Sequence, residues 1–532
     1  MNTRAPTSTS SPNLGFGWSG TFSATQAEAA ALLLICITLA VGAFLSFPLY
    51  DDGWLALVLR ESGRHSLAQH MGDRPVFGFL LEWLASFGAA NRFVFVLLNA
   101  VLWLGFAIES GMLFRKLFPE FKAYSIVAAC LTLAPIVLQT QLSTALVAIP
   151  ANFATILGYA AILLLLRHSH EDKPTRPLLL GIAAVLAASG VALSEYGVAT
   201  NLVGCVILIG VALTFSTRMA RRQLFLRAAW LFALTGAVYL LFAKTADFNV
   251  RPDVAPAHML RHEVGKWMEV PFDVIAGAWH AMIGAYAAAL GNITLAWDSK
   301  STIVGVLFGF QTAILLCLGV QKRRVEGLAE DRLERFPSRL AVLLPAILVG
   351  LLPFSLMGRA TTLLAFGSRF RIPIMPVAAA TTVCLALYLV RPSFRWIPVA
   401  MFGFIIGYAS WISTYSAIQQ TRAIAAVQGA LKPYVAQTDG YTVAVVPFKR
   451  FETELTANVT STWPLELEKR LWVVAEDPAR IQFGDRSTCR PSSVLDIQVR
   501  GLARVGKLDQ LLWVEAPSGK SVLIEPYCHT SN

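Results

Sequence analysis

The chain has 532 residues, of which 55% are hydrophobic and only 14% are charged. Soluble proteins carry about 25% charged residues, so the composition excludes an ordinary soluble enzyme and predicts a polytopic α-helical membrane protein. The net charge of +11 does not indicate nucleic-acid binding, because much of the Lys and Arg lies in short loops between apolar segments, where it sets membrane orientation.

The amino-terminal stretch, residues 1–24, is rich in Ser, Thr, Gly and Pro, and we expect a disordered cytoplasmic tail there. Residues 25–416 are predicted to form a transmembrane domain of about 11 helices, because a span needs about 20 apolar residues. The eleven candidate segments are 26–48, 92–114, 122–139, 149–167, 177–193, 197–215, 227–243, 302–320, 340–357, 372–390 and 396–415.

Basic residues alternate from loop to loop. They lie near 115–122, 167–176, 218–227, 322–339 and 391–395, whereas the opposite loops near 140–148 and 194–196 carry none. Because cytoplasmic loops are enriched in Lys and Arg, this alternation places the amino terminus inside and, for an odd number of spans, the carboxyl terminus outside.

The first outer loop, residues 49–91, opens with two adjacent carboxylates, Asp51 and Asp52, directly after the first span. A carboxylate there can act as general base for an acceptor hydroxyl, and a pair can hold a divalent cation such as Mg²⁺ or Mn²⁺ through oxygen ligands. The alternative is that one Asp caps the interfacial helix that follows. Residues 74–88 can dip into the membrane without crossing it.

Asp73-Arg74-Pro75 is the second motif of this loop. Arg74 can pair with a carboxylate or a phosphate. Alternatively, Pro75 takes the first position of a helix while Arg74 reaches the membrane interface.

Two further outer loops carry candidate site residues. Ser194-Glu195-Tyr196 forms a very short turn, in which Glu195 either faces an outer cavity or is a solvated turn residue. Arg359, Arg369 and Arg371 make a later loop strongly basic. They suit a lipid-linked phosphate held by paired hydrogen bonds, or contact ordinary anionic headgroups instead.

Residues 244–301 form a second long outer segment, which begins polar and then turns apolar, as a hidden re-entrant helix would. The outer histidines are predicted to be mostly structural, with two of them candidates for a cavity, His262 and His280; the others are His65, His70 and His258.

Residues 433–532 have a different composition and are predicted to form a small extracytoplasmic α+β domain. Short strands are expected at 442–446, 471–474, 494–499 and 522–524. Cys489 and Cys528 form a disulfide there or remain free. The chain has no phosphate-binding loop, dinucleotide fingerprint or nucleophile elbow.

With these motifs, the membrane region resembles the GT-C-type integral-membrane glycosyltransferases. Many bacterial members carry Asp-Asp-x-Trp after the first span and Gly/Asp-Arg-Pro later in that loop. Asp51-Asp52-Gly53-Trp54 and Asp73-Arg74-Pro75 match both motifs. Glu195-Tyr196 and the stretch from Arg369 to Pro373 match looser family features, whereas the tail after 417 matches none.

The resemblance implies an inverting transfer of a sugar from a polyprenyl-phosphate donor to a glycan, lipid or protein acceptor at the outer face of a bacterial inner membrane. Asp51 or Asp52 would deprotonate the acceptor, and Arg369 or Arg371 would hold the leaving phosphate. Trp54, Asp73, Arg74, Glu195, Tyr196 and Arg359 would bind substrate. Dependence on a divalent cation stays open, as do two other functions, a secondary transporter and a non-catalytic envelope-polymer assembly protein.

Overall fold

The computed structural model describes the membrane region with gaps and short pieces of the tail. The described residues are 23–45, 75–86, 92–133, 145–167, 177–215, 218–245, 267–284, 286–287, 299–325, 336–357, 366–412, 414–415, 441–445, 481–483, 508–515 and 520–524.

The membrane region is built from α-helices. In chain order they are α1 (Ala24–Leu45), α2 (Pro75–Ser86), α3 (Arg92–Leu117), α4 (Ser125–Thr132), α5 (Ala145–Leu165), α6 (Pro177–Leu193), α7 (Glu195–Phe215), α8 (Arg218–Thr245), α9 (Val270–Trp279), α10 (Ser299–Val325), α11 (Phe336–Leu356), α12 (Met375–Leu389) and α13 (396–412). A π-helix, His280–Gly284, continues α9, and 3₁₀ segments cover Pro119–Tyr124, Phe366–Ile374 and Pro392–Phe394.

Among the described residues, eight helices are long and apolar enough to cross a membrane, and two shorter apolar helices lie at Pro177–Leu193 and Leu340–Leu356. These ten correspond to ten of the eleven predicted segments. The remaining segment, 122–139, is described only in part, as α4 and its flanks. The protein is therefore a polytopic, multi-pass helical membrane protein.

The outer surface of the helices is apolar, as lipid contact requires. On α1, Leu33, Ile37 and Phe44 are exposed while Ile35 and Leu39 are buried. A soluble protein would not expose stripes of this kind on helix after helix. The protein therefore contacts membrane lipids.

Contacts between neighbouring helices fix their relative directions. Phe44 near the end of α1 meets Phe93 at the start of α3, with ring centroids 6.2 Å apart, so these helices are antiparallel. The amide of Asn152 on α5 donates to the side-chain oxygen of Asn99 on α3 over 3.1 Å. Further along, the rings of Phe106 and Tyr159 lie 6.0 Å apart, so α3 and α5 are parallel.

Glycine contacts extend this arrangement. A Cβ built on Gly158 of α5 would meet Thr200 of α7, and one built on Gly204 of α7 would meet Ile162, so α5 and α7 are parallel. A Cβ on Gly210 near the end of α7 would meet Val342 near the start of α11, so those two are antiparallel.

One face of the membrane region collects the basic helix ends. We call it the basic face and define it by Arg115, Arg167, Arg227, Arg323 and Arg395. Arg323 forms a bidentate ion pair of two 2.8 Å hydrogen bonds with Glu28 near the start of α1. We call the other side of the membrane region the opposite face.

Three arginines at the basic face donate to carbonyls in the last turns of helices. Arg227 donates to the Leu165 and Arg167 carbonyls, Arg395 to Leu387, and Arg221 to Ala212. Helix C-termini leave carbonyls without intrahelical partners and carry partial negative charge, which explains this preference. Among the described residues, these basic helix ends therefore lie on one face, and the side of the membrane that this face occupies stays a prediction.

Four strands are described in the tail: β1 (Tyr441–Val445), β2 (Ile481–Phe483), β3 (Leu508–Glu515) and β4 (Lys520–Ile524). Their order is β2-β1-β3-β4, with β1 parallel to β2 and β3, and β3 antiparallel to β4. β1 and β4 overlap predicted strands, whereas β2 and β3 were not predicted. The predicted strands at 471–474 and 494–499 lie outside the described residues. The α+β domain at 433–532 stays a prediction, as does the disulfide between Cys489 and Cys528.

Candidate functional site

The motifs of the first loop lie outside the described residues, and so does Arg359. They are Asp51, Asp52, Trp54, Asp73 and Arg74. α2 begins at Pro75, which fits the alternative in which this proline takes the first position of a helix. The end of α1 and the start of α3 lie at the opposite face, so the loop joins two helix ends there.

The turn at Ser194 joins α6 to α7 at the opposite face. The Ser194 amide donates to the Gly190 carbonyl over 3.2 Å, and the Gly197 amide donates to the Ser194 carbonyl over 2.9 Å. The Ser194 hydroxyl accepts from the Tyr196 amide and donates to the Glu195 carboxylate, both over 3.3 Å. Ser194 therefore caps α7 and holds Glu195 in its first turn, where the helix dipole favours an acid.

Glycines make this turn possible. A Cβ on Gly197 would lie 2.1 Å from the Gly190 carbonyl oxygen, and one on Gly190 would lie 2.9 Å from the Ala154 carbonyl oxygen. The backbones of α5, α6 and α7 therefore approach as closely as only small residues allow. Half-buried Glu195 interacts electrostatically with Tyr239 of α8.

The 3₁₀ segment Phe366–Ile374 carries the basic motif into the protein interior. It follows α11, which ends at the opposite face, and precedes α12, which ends near Arg395 at the basic face. Tyr159 of α5 anchors it, because its hydroxyl donates to the Pro373 carbonyl over 2.5 Å.

Two of the predicted motifs meet in an aromatic cluster, which consists of Tyr196, Phe354 and Phe370. The ring centroids lie 5.2 Å apart for Tyr196 and Phe354, 5.0 Å for Phe354 and Phe370, and 6.4 Å for Tyr196 and Phe370. The structure thus brings the Glu195-Tyr196 turn against the Phe370-Arg371 stretch.

Arg371 is 0% exposed. Its Nη1 donates to the His280 carbonyl over 3.0 Å, and its charge interacts with the Tyr286 hydroxyl. In this structure its guanidinium therefore contacts protein, and a phosphate contact by Arg371 stays a prediction. The Arg369 backbone lies in the same segment, and its side chain is outside what the structure describes.

Of the outer histidines, His280 is described, and its backbone carbonyl accepts the hydrogen bond from Arg371. His65, His70, His258 and His262 lie outside the described residues. Within the described ranges no group of three or more His, Cys, Asp or Glu could hold a metal ion. The predicted cation ligands Asp51 and Asp52 are not among those ranges.

Sequence reasoning missed two residues of the interior, Tyr159 and Glu109. Glu109 is half-buried on α3, and its Oε2 accepts no hydrogen bond from the described residues. An acid inside an apolar span is a signal of function that the sequence carries. Nothing local in the sequence marks Tyr159, because its partner Pro373 is 214 positions away.

No family model and no curated protein matches the chain. The fold and the site define the class of this protein, a multi-pass helical membrane protein in contact with lipids.

Proposed function

We propose that the chain is a membrane glycosyltransferase, which moves a sugar from a polyprenyl-phosphate donor to a glycan, lipid or protein acceptor. The observation that carries the proposal is the meeting of the Glu195-Tyr196 turn with the Phe370-Arg371 stretch in one aromatic cluster. The first loop, with its Asp-Asp-x-Trp motif, starts and ends at the same face as this turn. In this proposal, motifs far apart in the sequence act on one side of the membrane.

The proposed reaction is a single displacement. The Asp51 or Asp52 carboxylate takes the proton of the acceptor hydroxyl, whose oxygen bonds to the anomeric carbon of the sugar. The bond from that carbon to the phosphate oxygen breaks, polyprenyl phosphate leaves, and the anomeric centre is inverted. Arg369 stabilises the charge that develops on the phosphate, and Arg371 takes this role only if it leaves the His280 carbonyl.

The remaining site residues bind and position the substrates in this proposal. Trp54, Asp73, Arg74 and Arg359 belong to loops on the same side, and Glu195 lies beside Tyr196 at the aromatic cluster. The paired carboxylates supply the oxygen ligands that Mg²⁺ or Mn²⁺ prefers, and a bound cation would add positive charge near the phosphate.

The proposed setting is a bacterial inner membrane with the basic face in the cytoplasm. The first loop, the Ser194 turn and the domain at 433–532 are then periplasmic, and the acceptor belongs to the cell envelope, for example a lipopolysaccharide glycan.

A direct test uses the full-length chain in liposomes and measures sugar release from polyprenyl-phosphate sugars, with and without EDTA. We expect Asp51→Asn or Asp52→Asn to abolish turnover without changing expression or thermal stability. Asp273→Asn, which changes an acid of α9 outside the motif, is the matched control and retains activity. Loss of activity in EDTA that Mg²⁺ or Mn²⁺ restores would establish that the reaction depends on a divalent cation.

A well-folded wild-type protein that neither binds nor consumes any such donor would overturn the proposal. Secondary transport is the second candidate, and Glu109 favours it, because acids inside spans often carry protons in transporters. Substrate uptake into proteoliposomes that is driven by a pH gradient and lost in Glu109→Gln would identify that function instead.

A further inference from the structure

Two helices flank the second outer segment, residues 244–301. α8 ends at the opposite face, and α10 begins there. α8, which has 28 residues, carries Arg221 in its first turns and Arg227 farther along, both donating to carbonyls at the basic face, and then leads away from that face. α10 carries Arg323 near its end at the basic face and has 27 residues. At 1.5 Å per residue, each helix is about 40 Å long and crosses the hydrocarbon core, which is about 30 Å thick.

The segment between them, described from Trp267 to Ala287, nevertheless reaches deep into the helix bundle. The Met282 carbonyl accepts a 3.3 Å hydrogen bond from Thr382, which lies near the middle of the span Phe370–Leu389. The Tyr286 hydroxyl lies 3.5 Å from the Leu131 carbonyl on α4. Leu131 is six residues beyond Ser125, which Arg115 holds near the basic face, so its carbonyl lies about 9 Å along the helix from there.

The buried side of the segment is joined to the site already described. Val274, Gly277 and Ala281 are buried on this side, and the His280 carbonyl accepts from Arg371. His280–Gly284 is a π-helix, in which backbone hydrogen bonds join residues five positions apart and not four as in an α-helix. Backbone polar groups at membrane depth need partners inside the protein, and the side chains of Arg371 and Thr382 provide them.

The other side of the segment carries a stripe of large apolar residues at helical spacing. Its members are between 44% and 73% exposed: Met268, Phe272, Ile275, Trp279 and Ile283. We call these five residues the apolar stripe. The segment ends beside the middle of a membrane span. At that depth, the surroundings that suit an exposed apolar surface are the hydrocarbon chains of lipids.

We infer that Trp267–Ala287 is a re-entrant membrane segment. It enters from the opposite face, ends near the middle of the bilayer without crossing it, and presents its apolar stripe to lipid acyl chains. Arg371 is its positioning residue, because the buried guanidinium holds the His280 carbonyl against the bundle. Between Ala287 and Ser299 the chain can extend about 40 Å, which suffices to return to the start of α10. A re-entrant segment here does not depend on the proposed glycosyl transfer.

The test measures depth along the apolar stripe. Nitroxide spin labels are placed singly at the five stripe positions of a full-length chain in liposomes, with its seven cysteines replaced. Collision with oxygen is compared with collision with a water-soluble nickel chelate. We expect burial in the bilayer to increase stepwise from position 268 to position 283. Equal depth at all five positions would show a helix lying on the surface and overturn the inference. A maximum near 275 with return to water at 283 would show a crossing helix and overturn it too.

A second measurement tests the role of Arg371. In Arg371→Gln we expect the label at position 283 to become more mobile and shallower. Arg395→Gln is the matched control: this Arg is also buried and also donates to a carbonyl, but at the basic face. It should leave the label unchanged. Both variants are compared only as folded protein that elutes as one species. Identical label behaviour in Arg371→Gln and wild type would contradict the positioning role.

Discussion

Arginine has two different structural roles in this protein, and its surroundings decide which. At the basic face, Arg227 and Arg395 donate to carbonyls at helix ends, and Arg323 pairs with Glu28. Arg371 donates to a carbonyl deep in the bundle. The guanidinium suits both settings because it keeps its charge and offers five donors in a fixed geometry.

The ion pair between Glu28 and Arg323 should contribute to stability. Glu28 is 6% exposed, so Arg323→Ala leaves a nearly buried carboxylate without its bidentate partner. We expect a loss of about 1 to 3 kcal/mol, below the cost for a fully buried pair because the Arg323 side chain is 24% exposed. Thermal unfolding in detergent measures it.

The charge-reversed double variant, Glu28→Arg with Arg323→Glu, restores part of the stability lost in either single reversal, because the opposite charges again adjoin. If both single reversals unfold at the wild-type temperature, the pair contributes nothing measurable.

Arg369 and Arg371 should respond differently to substitution, although two positions separate them. Under the proposed function, Arg369→Gln lowers kcat by about 100-fold, the effect of losing one donor that stabilises transition-state charge, and leaves stability unchanged. Arg371→Gln leaves the His280 carbonyl without its donor, which costs about 1 to 3 kcal/mol of stability. Parallel kinetics and thermal unfolding separate these effects, and equal losses of stability in both would refute the distinction.

At the scale of elements, the hairpin of α6 and α7 is the tightest described connection of the site. A single residue, Ser194, separates the two helices. Small residues hold them together, since Gly197 faces the Gly190 backbone. This close approach places Tyr196 against Phe354 and Phe370.

Gly197→Ala should therefore destabilise the protein strongly. Its Cβ would lie 2.1 Å from a backbone oxygen, and no rotamer change relieves a backbone clash. We expect a loss of at least about 3 kcal/mol, the upper range for overpacking. Gly181→Ala in α6 is the control, because its Cβ would meet nothing within 4 Å. It should be neutral or slightly stabilising through helix propensity. Comparable unfolding temperatures for both variants would contradict the packing argument.

Much of the helical architecture could be predicted from the sequence. Hydropathy predicted 177–193 with the same bounds as α6. The bounds are clear because polar residues, including Lys173 and Arg176, directly precede the apolar run. Hydropathy underestimated α8 and α10, whose basic ends continue as helix beyond the apolar core. A hydropathy scan finds only the apolar part of a helix. The basic ends of α8 and α10 are also helical, and their arginines contact neighbouring helices.

The candidate site was only partly predictable. The sequence marks Tyr196 and Phe370-Arg371 as unusual, and the structure brings them together. It gives no sign that Arg371 points to His280 or that Tyr159 holds Pro373, since these contacts join elements far apart in the chain. Apolar segments predict which helices exist, but their side-to-side packing depends on small residues and hydrogen bonds spread over many helices.

For the whole molecule, the common basic face makes a prediction about sidedness. Cysteines introduced at Ser169 and Gly327 should react with a membrane-impermeant maleimide only from the cytoplasmic side, and those at Asn249 and Ala257 only from the other. Sealed vesicles of both orientations, with the native cysteines replaced, provide the measurement. Labelling of either pair from both sides, or of all four from one side, would contradict the assignment.

The bond between Glu28 and Arg323 also has a consequence for synthesis on the ribosome. The two residues are 295 positions apart, so the first helix is in the membrane for about 15 to 60 s before its arginine is translated. Until α10 arrives, Glu28 lies at the edge of the bilayer without this partner. A nascent chain that stops before Arg323 therefore keeps a carboxylate in its first helix that lacks this bidentate partner.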